Sequence, residues 1–346
     1  MKGFAFRRRK LASLSAVGLA LGASVGFSAN AVAATPGTLN GAGSTLVAPL
    51  EAEWAQGFDS KTGNTVNYNA VGSGTGIADI SAGTVDFGAS DAPLNPTQAA
   101  ACANCIQIPW ALSATGVGYN VPGVGKKLHL TGSVLAGIYL GNINTWNAPQ
   151  ITKLNKGVHL PSLKITPVFR SDGSGDTYAF TNYLSHVSSA WSSKVSFGTA
   201  VQFPTGVSGK GNSGVTAVLQ GTPGSIAYIA VSYLIAHDLP AVGIANAAGK
   251  YEYPNLNNIE NAASTVKHVP GNLALSIVDP PKSAKIAYPI STFTYAIAPT
   301  TAPQGGLLKS FIKYALTTGH SFGENYDFAP LPKVVLKADQ AAVNKL

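Results

Sequence analysis

The octapeptide Arg170-Ser-Asp-Gly-Ser-Gly-Asp-Thr177 holds the only arginine that follows the first few dozen residues. All other basic residues after that point are lysines. A planar, permanently charged fork beside a glycine-serine turn suits an oxyanion, because the guanidinium and the turn's free N–H groups all donate. Two further turns have the same makeup: Gly41-Ala-Gly-Ser-Thr45 and Gly72-Ser-Gly-Thr-Gly76. Asp91 adds a carboxylate at the end of the strand-like stretch "VDFGAS".

These residues need elements to hold them. "LVAPLEAEWAQGF" follows the first turn and places Leu50, Trp54 and Phe58 four apart, on one helical face. Ser44 or Thr45 is placed to cap that helix. "IADISAGT" follows the second turn as a helix, and "KITPVF" reads as a strand feeding the octapeptide and then the helix "YAFTNYLSHV". Further on, "KGNSGVTAVLQGTPGSIAYIAVSYLIAH" reads as helix, Gly-Pro stop, strand and helix. "YPISTFTYAIAP" reads as a buried strand, with a helix across "GGLLKSFIKYALTTG". Strands alternating with helices predict an α/β fold with mostly parallel sheets, whose ligands sit at strand carboxyl ends.

Each residue also has a purely architectural reading. Ser44, Thr45 and Ser174 could be ordinary caps, Arg170 with Asp172 a structural ion pair, and Asp91 the closure of a turn before Ala-Pro. Their coincidence in one chain favours a shared site. The pair Cys102 and Cys105 lacks two further metal ligands, and the six histidines show no ligand spacing, so a small local disulfide is expected and no metal or cofactor. The spacing of a serine nucleophile elbow, G-x-S-x-G, occurs at Gly22-Ala-Ser-Val-Gly26, in the first segment, and no histidine stands in a catalytic context. No enzyme activity is therefore expected.

That first segment, 1–34, reads as a secretory signal: Lys2 and Arg7-Arg-Arg-Lys10 precede an apolar run, and small residues follow at Ala31-Val-Ala-Ala34. Its removal takes five basic residues, so the net charge falls from +8 to +3 (18 basic against 15 acidic). The remaining lysines are scattered, which argues against nucleic acid as a partner. About 312 residues (346 minus 34) imply two domains.

Together "GAGSTLVAPLEAEW", "VNYNAVGSGTG", "TVDFGASDAPL", "IYLGNINTWN", "RSDGSGDTYAFTNYLS" and "GKGNSGV" resemble the periplasmic phosphate-binding proteins of high-affinity phosphate ABC transporters. The resemblance runs in order over nearly the whole chain after residue 34. It implies a two-lobed type II periplasmic-binding-protein fold with a strand hinge, lobe I being 35–115 plus 291–346 and lobe II 116–290, with crossings near Thr115 and Ile290. It further implies a soluble periplasmic monomer that binds inorganic phosphate and serves a membrane permease. The matching phosphate ligands are Ser44, Thr45, Leu46, Ser73, Asp91, Arg170, Ser174, Gly175 and Asp176, with Asp172 orienting the arginine. Leu46 replaces a usual phenylalanine, and Asp176 stands where some members have threonine. A carboxylate at 176 must point away from the anion or meet a protonated oxygen. A binding protein for another tetrahedral oxyanion, or an extracytoplasmic phosphate-ester hydrolase, is the competing reading.

Overall fold

The computed structural model describes residues 36–125 and 127–346; the proposed signal at 1–34 lies outside them. Among the described residues there are eleven strands: β1 (Thr38–Gly43), β2 (Thr65–Asn69), β3 (Phe87–Ser90), β4 (Cys105–Asn120), β5 (His129–Leu130), β6 (Thr166–Arg170), β7 (Val207–Gly209), β8 (Ser225–Ala230), β9 (Gly243–Ala245), β10 (Tyr251–Glu252) and β11 (Ser291–Pro299). Eight form one curled sheet in the order β2-β1-β3-β11-β4-β8-β6-β7, and β10-β9-β5 form a small second sheet.

The large sheet has two halves that share β4. Its residues 105–114 pair with β11, and residues 115–120 pair with β8. At the changeover Thr115 N donates to Ile290 O at 3.0 Å. Parallel pairing holds toward the outside, with β1 beside β2 and β3 in one half and β6 beside β7 and β8 in the other. Four of the seven strand pairs of this sheet are parallel, and the three antiparallel ones all involve β4 or β11, the strands at which the chain passes between the halves.

Burial on both faces explains the strand compositions. All six residues of β8 (SIAYIA) and all four of β3 (FGAS) are buried, as continuous apolar or small runs in covered strands require. Each half has an aromatic centre. Trp54, Phe87, Trp110 and Phe311 pack in the first, with Trp54 and Trp110 rings 5.0 Å apart. Tyr139, Phe180, Phe203 and Tyr228 pack in the second, with Phe180 and Tyr228 stacked at 4.5 Å.

The helices follow the predicted faces. Ala48–Thr62 buries Leu50, Trp54 and Phe58 and stops at Gly63, whose φ of 73° turns the chain out of the helix. Ser73–Ser81, Gly175–Val187, Gly211–Gly221, Val231–Ala236 and Gly305–Leu316 account for the remaining helical patterns. Cys102 and Cys105 are bonded to each other, just after the helix Pro96–Ala101 and at the first residue of β4. Among the described residues no helix is long and apolar enough to cross a membrane, and no cluster of His, Cys, Asp and Glu is placed to hold a metal.

Candidate functional site

Parallel strands on both sides of the shared β4 aim their carboxyl ends at one seam. Ser44 follows β1, Asp91 follows β3, Arg170 ends β6 and Asn212 lies three residues beyond β7. At Gly43, with φ 146°, an added Cβ would lie 2.0 Å from Ala89 O, so only glycine lets β1 leave the sheet this close to β3. That path sets Ser44 over Asp91.

Ser44 Oγ accepts the N–H groups of Leu46 (3.0 Å) and Val47 (3.2 Å). Its own hydrogen therefore points to the Asp91 carboxylate, 2.6 Å from Oδ1 and 2.7 Å from Oδ2. Ser44 thus satisfies the chain entering the helix, whose N-cap position is Val47 rather than Ser44 or Thr45. Ser73 approaches from the second turn. Its Oγ lies 3.3 Å from Asp91 Oδ2 and accepts the N–H groups of Asp91 (3.2 Å) and Gly175 (3.1 Å).

The third turn meets the second directly. Gly74 N donates to Gly173 O at 2.9 Å. A Cβ on Gly175 would lie 2.3 Å from that of Asp91. The glycines of these turns are therefore required by interlocking as well as by any anion.

Arg170 is fixed first through its backbone, whose N–H donates to Tyr228 Oη at 2.9 Å. Its fork then divides: Nε donates to Asp172 Oδ1 at 2.8 Å and Nη2 to Asp172 Oδ2, while Nη1 reaches Asp176 Oδ2 at 3.0 Å. Asp172 also accepts Gly211 N at 2.9 Å. Asp176 points into the network, accepting Thr115 Oγ1 on Oδ1 and Asn212 Nδ2 on Oδ2, both at 2.8 Å. Its backbone N–H is committed to Ser174 Oγ at 3.1 Å, which also accepts Thr177 N at 3.4 Å. Ser174 is the helix cap, and its hydrogen is what it can offer a ligand.

Three carboxylates surround one cation, and Asp91 and Asp176 are almost fully buried, at 1% and 0% exposure. Burial and then the negative charge of Asp176 push the Asp91 carboxyl up to about 7, against the hydrogen bonds of Ser44 and Ser73 and the charge of Arg170. Burial also raises Asp176, opposed by Arg170, Thr115 and Asn212. Asp176 has a cation and two neutral donors, so the proton that this crowded pair retains belongs on Asp91. Burial disfavours the Asp172 anion as well, but the two bonds and the charge of Arg170 outweigh it and lower that carboxyl. Burial likewise works against the Arg170 cation, and Asp172 and Asp176 more than compensate.

All nine sequence-predicted ligands lie on this network or its adjoining backbone. Leu46 contributes only backbone, since its side chain is in the core. Thr45 faces across the seam, where its Oγ1 accepts Asn212 Nδ2 at 2.9 Å. Sequence reasoning missed Asn212 and Tyr228, and it took Thr115 only as a crossing. A signal for Asn212 existed: Gly209-Lys-Gly-Asn-Ser213 is a fourth glycine-polar turn feeding a helix.

Residues 28–318 match the model of the PBP superfamily domain. The phosphate-binding protein PstS of Xylella fastidiosa (strain Temecula1) is 36% identical over 307 residues, 88% of this chain and 84% of that one. PstS of Pasteurella multocida is 35% identical over 319 residues, covering 91% and 92%. The crystal structure of the phosphate binding protein of Stenotrophomonas maltophilia shares the fold, with a TM-score of 0.71 at 18% identity over 88% of this chain and 93% of that one. The long match to the superfamily and the two well-covered relatives agree: this chain belongs to the PBP superfamily, in the family of the phosphate-binding proteins PstS.

Proposed function

We propose that this protein captures inorganic phosphate between two lobes and delivers it to the membrane permease of an ABC transporter. It is a binding protein, not an enzyme. The observation that carries the reading is Asp91: a buried carboxylate, held by two serines, beside a buried arginine at the seam of two sheet halves. The division into lobes at about 115 and 290, the secreted monomeric state and the ligand roles of the nine residues belong to the same proposal. An exported binding protein without chemistry is useful only if a second component reads its closed form.

Selection follows from hydrogen-bond types. An ionised Asp91 only accepts, so it welcomes an oxyanion that still carries a proton and repels one that does not. Phosphate keeps a proton near neutral pH; sulfate keeps none. Two acceptors facing each other in a desolvated site cost about 1 to 3 kcal/mol or more. Arg170 supplies the opposite attraction through Nη1 and Nη2, the edge turned toward Asp176. Ligation from both halves gives the anion extra affinity for the closed arrangement, which is what lets a ligand favour closure.

Calorimetric titration of protein unfolded and refolded to strip carried-over phosphate tests this. Tight phosphate binding with no sulfate heat is expected, with sulfate binding gained in Asp91→Asn. Sulfate binding to the unmutated protein at pH 8, or no response to either anion, would overturn the phosphate reading.

A further inference from the structure

Asn212 is fully buried at the start of the helix Gly211–Gly221, and every polar atom of its side chain is engaged. Nδ2 donates to Asp176 Oδ2 at 2.8 Å and to Thr45 Oγ1 at 2.9 Å; Oδ1 accepts Ala230 N at 2.9 Å. Its backbone N lies 3.4 Å from the same Thr45 oxygen. Thr45 belongs to the half built on β1, whereas Asp176 and Ala230 belong to the other. Ala230 pairs with Thr115, where β4 changes partners, and Thr115 in turn donates to Asp176 Oδ1. One carboxamide thus joins the seam to the changeover point.

With both Nδ2 hydrogens and its oxygen used, Asn212 has nothing left to give an anion. We propose that Asn212 is a positioning residue: a strap that holds the two halves together through Thr45 while it aims Asp176 at the Arg170 fork. The inference rests on the phosphate reading above. Groups touching the anion set how well it is held once the halves have met, and the strap sets how long they stay met. Phosphate enters the open fraction of a phosphate-free population that is part open and part strapped, so losing the strap at most doubles capture and acts mainly on release.

The test is stopped-flow phosphate association and release, with small-angle scattering of the phosphate-free protein. In Asn212→Ala, release accelerates about tenfold, the loss expected for one net buried hydrogen bond, while association stays within about twofold. Asn212→Asp keeps the shape but turns an acceptor on Asp176, with Asp172, Arg170 and Asp91 the other charged groups of the site. Ionised at pH 8 it behaves as the alanine variant does. Protonated at pH 5 it regains one donor, and its release slows toward that of the unmutated protein at the same pH, a rescue that a mere packing role does not produce.

Unchanged release in Asn212→Ala, or a loss confined to association, overturns the strap. If Asn212→Ala does not fold, the pH-dependent rescue of Asn212→Asp decides, and its absence overturns the proposal. If the unmutated protein does not bind phosphate, the phosphate reading fails by itself. Scattering then decides the strap: a larger radius of gyration in the variants supports it, and equal radii overturn it.

Discussion

Asp91 and Asp176 are the same residue type, buried on opposite sides of one seam, and their surroundings give them opposite tasks. Asp176 receives a guanidinium, an amide and a hydroxyl, which hold its charge in place against the burial that raises its carboxyl too. Asp91 receives only the hydroxyls of Ser44 and Ser73, and its carboxyl rises to about 7. One half of the site presents a fixed arrangement of charges, and the other presents a group that can gain or lose a proton. The donors around a buried carboxylate, and not its residue type, decide whether it is scaffold or sensor.

The comparison breaks most visibly at the cation. Arg170→Ala leaves three carboxylates without their counter-charge, and phosphate affinity falls by roughly 2 to 5 kcal/mol in calorimetry. Near-normal binding would mean that the fixed half is held by something else.

The proton-sensing half is sharpened by pH. Above about 7 Asp91 is ionised and rejects sulfate; below it the protonated carboxyl can donate, so sulfate affinity rises as pH falls through about 7. Titrations of sulfate from pH 8 to pH 5 check this, and a flat response breaks the assignment of the proton to Asp91. Asp176→Asn has a smaller effect, removing the negative charge that helps raise Asp91. The sulfate onset then moves to lower pH, and an onset that stays in place means that the two carboxylates do not communicate.

The smallest expected effect lies outside the site. Asp339 is buried in the helix Lys333–Val343 with neither carboxylate oxygen hydrogen-bonded, and burial pushes it up to about 8. A carboxyl raised on folding binds its proton more tightly in the native state, so its contribution to stability is lost as pH rises from about 4 toward 8. Asp339→Leu should melt higher than the unmutated protein at pH 8 and differ less at pH 5, as thermal unfolding would show. An identical pH profile in the two proteins removes Asp339 from the account.

Much of this was legible in the sequence because it is local. Glycine-hydroxyl turns before amphipathic helices identify Ser44, Ser73 and Ser174 with no tertiary information, and the lone Arg170 stands out by type. The turn that carries Asn212 was legible in the same way, but its task was not: Thr45 lies 167 positions away along the chain, and no local pattern reports that pairing. The bonding of Asp176 was hidden for the same reason, since its partners come from β4, β6 and the helix after β7. Strand direction was legible only in part. Alternation of helices and strands suggests parallel neighbours, but β11 returns from the far half and enters antiparallel between β3 and β4.

That returning strand also dictates an order of assembly. β1, β2 and β3 are complete by residue 90, yet the place between β3 and β4 stays empty until residues 291–299 arrive. The large-sheet strands of the other half, from the end of β4 through β8, fall within residues 115–230 and need no distant segment. Contacts between near segments close sooner than those between far ones. Amides of β6 and β8 should therefore gain protection from exchange during refolding before those of β3, which makes the half that holds Arg170 the template on which the half that holds Asp91 is finished.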